Sequence, residues 1–455
     1  MQWASGATVS VAIAAALAFS PRALLLVLHH AFFAIFALGI AVRLAALLRR
    51  RPSASRAGQP TADAPGYTVI VPLYDEAEVV PDLLRNLGRL DYPRERLQVL
   101  IALEADDLAT QQAVRTEAPA WMEVVVCPPG EPRTKPRACN AALHRATGEF
   151  VVVYDAEDAP DPLQLREAAT RFAASSPSLA CLQAPLRVTA ERPSRFERQF
   201  ALEYAAQFDV MLPALARWGL PFPLGGTSNH FRRAALEAIG GWDAWNVTED
   251  ADLGMRLAAS GLRTGMLSRP TWETPPDFNA WFPQRARWIK GYMQTWGVHM
   301  RTPFAGGWRR FAALQLTLGY AVLSAVMHGP LAMTVAAAVL VAAAHFPGPL
   351  HAPQVEIGDA LLCVAGWLTG VGLMAEGARR AGSRMRLIDA ALAPAYWPLQ
   401  SLAAGYALHQ LITKPFHWDK TRHRRAASNA RLAAAQRSGV GAATAAVCSA
   451  APEGA

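Results

Sequence analysis

From Tyr67 to Val153 the chain alternates between two patterns that few folds accept together. The runs "YTVIVPL", "LQVLIALE", "MEVVVC" and "FVVV" are apolar and rich in β-branched residues, the composition of buried strands. Between them, "DLLRNLGRL", "DLATQQAVRT" and "RACNAALHRA" space their apolar residues as helices do. Such alternation predicts a mostly parallel α/β sheet covered by helices on both faces. Ligands of these sheets bind at the C-terminal strand ends. Glu76, Glu104, Asp106 and Asp155 are therefore expected to converge on one crevice. No P-loop and no G-x-G-x-x-G opens a helix here, which argues against an ATPase or a nicotinamide enzyme. The "GVG" at 370–372 lies in an apolar run and reads as helix packing. There is no internal repeat.

The pattern is flanked by apolar sequence on both sides, and here composition matters. Of the 455 residues, 52% are hydrophobic and only 18% charged, an apolar balance for a globular chain. The expected organisation is residues 1–48 as N-terminal transmembrane sequence and 60–300 as a cytosolic catalytic domain. Residues 310–412 are expected to be transmembrane and interfacial helices, and 413–455 a largely disordered cytosolic tail. "RALLLVLHHAFFAIFALGIAVRLAALLRRR" exceeds the ~20 residues a bilayer span needs. Arg49, Arg50 and Arg51 place that end in the cytoplasm. Ala7 to Phe19 reads as a weaker first span rather than a signal peptide, since no positive side chain precedes it. His29 and His30 are expected to be satisfied within the helix bundle. Apolar runs near 311–327, 331–346, 358–375 and 388–412 allow four spans, or two if only the middle pair crosses. Two spans keep Arg379, Arg380, Arg384 and Arg386 inside with the basic tail "HWDKTRHRR". The net charge of +8 sits beside apolar segments, which points to anionic lipid headgroups and not to nucleic acid. Five cysteines without metal spacing read as reduced thiols.

Three clusters carry chemistry. In "VVVYDAEDAPDP", Asp155 and Glu157 stand two apart at a strand end, so both can face one hard divalent cation that keeps substrate phosphates as its other ligands. Asp158 has a capping alternative, and Asp161-Pro162 reads as N-cap and N1 of a helix. "NVTED" sets Thr248, Glu249 and Asp250 before an amphipathic helix; the bland reading is a cap, with Thr248 or Asp250 as the N-cap. There the helix dipole should lower carboxylate pKa values. "FPQRARWIKGYMQTW" gathers Gln284, Arg285, Arg287, Trp288 and Lys290, otherwise an interfacial basic and aromatic helix. "GGTSNHFRR" adds Gly225 and Gly226, as a close backbone approach or a simple turn, and His230, more readily structural than a metal ligand.

In that order and spacing, D-x-E, T-E-D and Q-x-x-R-W resemble the membrane-bound family 2 glycosyltransferases, the group containing bacterial cellulose and hyaluronan synthases. The resemblance runs from about Tyr67 to Arg301. "KPFHWDKTRH" looks like the subgroup near the phage N4 adsorption protein B type. Glu157 departs from the pattern, standing where a second Asp is common. The resemblance implies a GT-A (Rossmann-like) domain on the cytoplasmic face of a bacterial inner membrane. It implies that Glu104 contacts the uracil or ribose of a nucleotide sugar, that Lys135 lies near the nucleotide, and that Asp155 and Glu157 hold Mg²⁺ or Mn²⁺. Asp250 would be the general base, and Gln284, Arg287 and Trp288 would lie beside the diphosphate and acceptor sugar. The reaction expected is inverting transfer from a nucleotide sugar, UDP-linked, to a growing polysaccharide. Two alternatives stay open: transfer of one sugar to a lipid acceptor, and a non-catalytic subunit of an export complex. A transporter would need ionisable residues inside its spans, and Arg43, His328 and Glu376 lie at or near their edges.

Overall fold

A computed structural model describes residues 20–49, 64–190, 192–343 and 357–415. The expected first span at Ala7–Phe19, Arg50 and Arg51, most of the motif "KPFHWDKTRH" and the C-terminal tail lie outside these residues. The four strands foreseen from the sequence are present as β1 (Tyr67–Leu73), β2 (Leu97–Glu104), β3 (Met122–Cys127) and β4 (Phe150–Val153). They pair in parallel in the order β3-β2-β1-β4, with Tyr67 opposite both Leu97 and Phe150. Helices α2 (Val80–Gly88), α3 (Leu108–Glu117) and α4 (Lys135–Leu143) make the connections. Strand side chains alternate between the two faces. Val69 and Val71 join one core cluster, and Ile70 and Val151 join another.

Beyond β4 come β5 (Ala159–Pro160), α5 (Gln164–Ala173), β6 (Leu179–Gln183), β7 (Leu186–Val188) and α6 (Arg195–Ala206). A π-helical turn, Gln207–Met211, joins α6 to α7 (Leu212–Arg217). There follow β8 (Asn229–Arg232), α8 (Arg233–Ala238), α9 (Glu249–Ala259), β9 (Arg263–Met266), β10 (Thr271–Glu273) and α10 (Phe278–His299). The large sheet continues from β4 as β8-β6-β9, with β8 antiparallel to both neighbours. A small sheet, β5-β10-β7, lies apart from it and brings Glu273 to the strand-end side of the site. Helix α5 starts at Gln164, later than Asp161-Pro162 was expected to start it. The Asp161 carboxylate instead accepts from Leu163 N (2.9 Å) and Arg269 Nη1 (3.1 Å), closing a turn ahead of the helix.

Three helical stretches among the described residues are long and apolar enough to cross a membrane: α1 (Pro21–Leu47), 307–338 and α13 (Ile357–Arg380). The second comprises α11 (Gly307–Leu314), a π-helical turn at Gln315–Gly319, and α12 (Tyr320–Ala343). The runs 311–327 and 331–346, expected to be separate, are thus one helix that passes through Pro330. Proline leaves the carbonyl four residues back without its N–H donor. Ser401 repairs the gap: its hydroxyl donates to the carbonyls of Ala325 (2.5 Å) and Val326 (3.2 Å) and accepts from Gly329 N (2.6 Å). The last run breaks near Pro398 into α14 (Leu387–Tyr396) and α15 (Leu399–Thr413), each too short to span. Among the described residues the C-terminal part thus has two stretches long and apolar enough to cross, 307–338 and α13; the first joins the runs 311–327 and 331–346 and is not the middle run alone. Arg380, at the end of α13, donates to the carbonyls of Asp209 (3.0 Å) and Arg49 (2.8 Å), so the basic ends of α1 and α13 lie together against the sheet-bearing part. His29 pairs with Asp359 at 3.3 Å, and His30 bonds the Leu26 carbonyl. In the "GVG" stretch, a side chain on Gly370 would meet Trp397 at 2.9 Å, in keeping with helix packing.

Candidate active site

The strand ends open into a cavity of ≈ 1310 Å³ lined by Glu76, Glu104, Lys135, Asp155, Glu157, Asp250, Gln284, Arg287 and Trp288. These five carboxylates, Lys135 and the three Q-x-x-R-W side chains, all named from the sequence, are brought to one cavity. Asp106 is not among the lining residues; it is exposed and pairs with Arg133 at 2.9 Å. At one wall, Glu104 at the end of β2 is buried against the Arg137 guanidinium. Burial pushes its carboxyl above the ordinary value, against the opposing charge of Arg137. Lys135 is the first residue of α4, and Thr134 before it donates to the Ala244 carbonyl at 2.9 Å. The Lys135 Nζ lies 2.5 Å from Asp155 Oδ1 and 2.5 Å from the Gly226 carbonyl. Burial would lower its pKa, but Asp155 and Glu249 together outweigh burial and raise it.

Asp155, Glu157 and Asp158 follow β4, and Glu273 faces them from β10. Asp158 turns inward, accepting from Asp155 N (2.8 Å) and from the Thr227 hydroxyl. Its capping alternative is thus corrected: it braces the loop that presents Asp155 and caps no helix. Burial first, then the charges of Asp155 and Glu157, push its carboxyl well above the ordinary range. Glu273 is raised in the same way, by burial and then by Asp158, Glu157 and Asp155. Asp155 and Glu157 thus act on two buried carboxyl groups behind them, and negative charge gathers at this wall. No three ligating side chains converge on one point among the described residues.

Opposite this wall stands the start of α9. Thr248 occupies the N-cap position but makes no side-chain cap; its N–H donates to Asn246 Oδ1 at 2.9 Å. Asp250 Oδ1 accepts from Ala251 N at 2.7 Å, while Oδ2 is turned toward Gly226. A β-carbon on Gly226 would lie 3.4 Å from Asp250 Oδ2 and 3.9 Å from Lys135 Nζ. Neither Gly225 nor Gly226 has positive φ; Gly225 serves close approach, since a β-carbon there would lie 3.0 Å from the Phe208 ring. The expected lowering of the carboxyl pKa by the helix N-terminus is overridden: burial raises Asp250 despite Lys135 and Arg287. Glu249 is pushed up to about 7 by burial and by the neighbouring Asp250.

Helix α10 brings the third cluster. A β-carbon on its Gly291 would lie 2.3 Å from Thr248 Oγ1, so only glycine lets α10 seat against the T-E-D turn. Gln284, Arg287 and Trp288 line the cavity, and the Arg287 charge acts on both Glu249 and Asp250. Two cluster members serve the scaffold. Arg285 forms a fork with Glu203 (2.8 and 2.9 Å) and lies 4.8 Å over the Trp288 ring, fixing the indole. Lys290 is buried and donates to Gln410 at 3.0 Å. His230 is also structural: it lies between the Tyr67 hydroxyl (2.6 Å) and Gln164 Oε1 (3.0 Å), and burial drives its pKa to about 3. Sequence reasoning missed Glu273, since a three-residue strand inside "PTWETPP" leaves no periodicity to read.

Residues 65–291 match the family described as Glycosyltransferase like family 2. The probable glycosyltransferase YdaM of Bacillus subtilis is 24% identical over 234 residues, covering 50% of this chain and 56% of that protein. The beta-monoglucosyldiacylglycerol synthase of Synechocystis sp. is 29% identical over 264 residues, covering 55% and 53%. This chain spans about half the length of the curated relatives it matches. Among solved structures, the mannosyltransferase PcManGT from Pyrobaculum calidifontis, in complex with GDP-Man and Mn²⁺, superposes with a TM-score of 0.54 at 21% identity. The superposition covers 86% of this chain and 98% of that one. It supports the GT-A fold.

Proposed function

The chain carries a family 2 glycosyltransferase domain of GT-A fold over residues 65–291, and from that premise we propose inverting, metal-dependent transfer of a sugar from a nucleotide sugar, UDP-linked, to a lipid acceptor at the inner face of the membrane. One observation carries this reading. The cavity that holds Lys135, Asp155 and Asp250 continues without a break between α1, α12 and α13, the membrane-length helices. Its walls there are largely apolar, which suits acyl or isoprenoid chains better than a hydrated polymer. The clustered basic ends of α1 and α13 favour a cytoplasmic catalytic domain.

Within this reading Glu104 meets the base or ribose. Lys135 and Arg287 face the diphosphate, whose departing charge needs preorganised cations. Mg²⁺ or Mn²⁺ held by Asp155 and Glu157 would supply further neutralisation of that charge. Asp250 takes the proton of the acceptor hydroxyl as it attacks. Trp288, fixed by Arg285, gives the sugar a flat apolar wall.

Growing polysaccharide as the acceptor is the second reading. The Q-x-x-R-W set, shared with the synthase-like subgroup, favours it, and all of Gln284, Arg287 and Trp288 line the cavity. The test is to incubate membranes containing the full chain with a panel of labelled nucleotide sugars and separate lipid-soluble, polymeric and free products. Label in the lipid phase supports the first reading; polymer supports the second. No turnover of any donor refutes both and returns the chain to a non-catalytic subunit.

A further inference from the structure

Arg43 stands on α1 about 6 Å, at 1.5 Å per residue, before its end at Leu47. It lines the cavity where the catalytic chamber passes into the apolar part. An arginine near a span end ordinarily snorkels outward to the headgroup layer. Arg43 instead lies over the Tyr320 ring, 5.1 Å from its centroid, inside the cavity wall. Gly39 makes room for that ring: a β-carbon there would lie 2.3 Å from Tyr320, so the hydroxyl end of the ring packs directly on the α1 backbone. Among the described residues no carboxylate lies within ion-pair distance of Arg43. The acidic residues of the spanning helices are engaged elsewhere, Asp359 with His29 and Glu376 with Arg379 and Arg380. His328 also lines this section, within electrostatic reach of Arg43, its ring set by the Ser324 backbone and the Trp397 ring. A cation without a counter-charge in an apolar, membrane-level wall is costly unless a ligand supplies the anion.

We propose that Arg43, with His328 beside it, receives the phosphate of the acceptor lipid. This rests on the lipid reading above and narrows it to a phospholipid carrying a free hydroxyl. The phosphate sits at Arg43. The chains lie along Phe32, Phe36, Leu331, Val335, Leu362 and Trp367, which line the groove on toward His29. The 14 residues from His29 to Arg43 give that groove ~21 Å of helix, more than half of a hydrocarbon core of ~30 Å. The hydroxyl reaches back toward Asp250, which loses its purpose as a base if the phosphate itself is the nucleophile. Arg43 is thus a binding residue for the acceptor and takes no part in the bond exchange.

The test uses the full chain in nanodiscs with the donor found active. Phosphatidylglycerol is compared with diacylglycerol, which keeps a hydroxyl and acyl chains but lacks the phosphate. Phosphatidylglycerol should be glycosylated with a kcat/KM at least tenfold higher. Arg43→Met should raise its KM tenfold or more and remove the preference, with donor KM and melting temperature unchanged. Arg43→Lys should recover part of the difference. Equal use of the two lipids, transfer to neither, or equal damage to both by Arg43→Met overturns the assignment. Failure to bind any nucleotide sugar would refute the enzyme reading instead, so the two failures are distinguishable.

Discussion

Asp250→Asn separates chemistry from capping. In the structure Asp250 Oδ1 accepts from Ala251 N at 2.7 Å, a bond the Asn carboxamide oxygen can also accept. Asn caps a helix as well as Asp does, so folding and donor binding should survive. What goes is the charge on Oδ2, the atom turned toward Gly226 and Lys135. If that atom takes the acceptor proton, kcat should fall by about 10²- to 10⁴-fold, the range for general-base help. That is roughly 3–5 kcal/mol of barrier at ~1.4 kcal/mol per decade. The pH profile gives an independent readout. The base works deprotonated, and burial raises Asp250 above its ordinary 3.8. The wild-type rate should therefore be full at high pH and fall on acidification through an apparent pKa above 3.8, a limb the variant lacks. Removing the Asp250 charge also removes one cause of the raised pKa of Glu249, which should drop below about 7. The assay is donor affinity by calorimetry beside kcat against pH, with Glu249→Gln in parallel. A near-normal kcat in Asp250→Asn with a large loss in Glu249→Gln would refute the reasoning and move the base one residue back.

Chelation should abolish transfer, Mg²⁺ or Mn²⁺ should restore it, and Asp155→Ala should weaken UDP binding more with metal present than without; metal-independent turnover would return Asp155 and Glu157 to a structural role. Gly291→Ala forces a β-carbon to 2.3 Å from Thr248 Oγ1, so it should destabilise by about 1–3 kcal/mol and lower kcat by displacing the T-E-D turn, with partial recovery in Thr248→Ala; an unchanged melting temperature would contradict the packing. Glu249, ordinarily near 4.5 and raised to about 7 in the fold, deprotonates first in the unfolded chain, so its contribution to stability is full below 4.5 and is lost as pH rises through 7; melting temperature against pH should be flatter in Glu249→Gln. Single cysteines at Arg49 and Arg384 should be labelled from the same side of the membrane; labelling of Arg384 from the opposite side would restore four C-terminal spans.

The first half of the sheet was legible because its strands carry their own signal. β1, β2 and β4 are almost wholly buried and therefore mostly apolar, β3 at the sheet edge keeps its apolar run with Glu123 and Val126 exposed, and helices of similar length separate them. Strand β8 was not legible for the opposite reason. Its sequence, Asn229-His230-Phe231-Arg232, is largely polar, yet it is central in the sheet, between β4 and β6. It can be buried only because Tyr67 and Gln164, both far away in sequence, satisfy His230. The passage through Pro330 was hidden in the same way. Locally His328-Gly329-Pro330 is a helix stop, and the hydroxyl that overrides it comes from Ser401.

The same division runs through the site. Residues whose type alone states a chemistry were found: carboxylates at a strand end, T-E-D before a helix, Arg287 beside Trp288. What sequence could not supply was the sorting of neighbours by what each side chain engages. Arg285 and Arg287 are two residues apart, so they lie about 200° apart around α10. One is locked to Glu203, and the charge of the other acts on Asp250. Asp155 and Asp158 differ likewise, one meeting Lys135 and the other bracing the loop through Thr227. Arg43 went unread as a ligand group because an arginine near the end of an apolar helix ordinarily reports only which way the helix points. Its direction into the cavity depends on Tyr320 and Gly39 meeting across two helices, and that contact exists only in the folded chain.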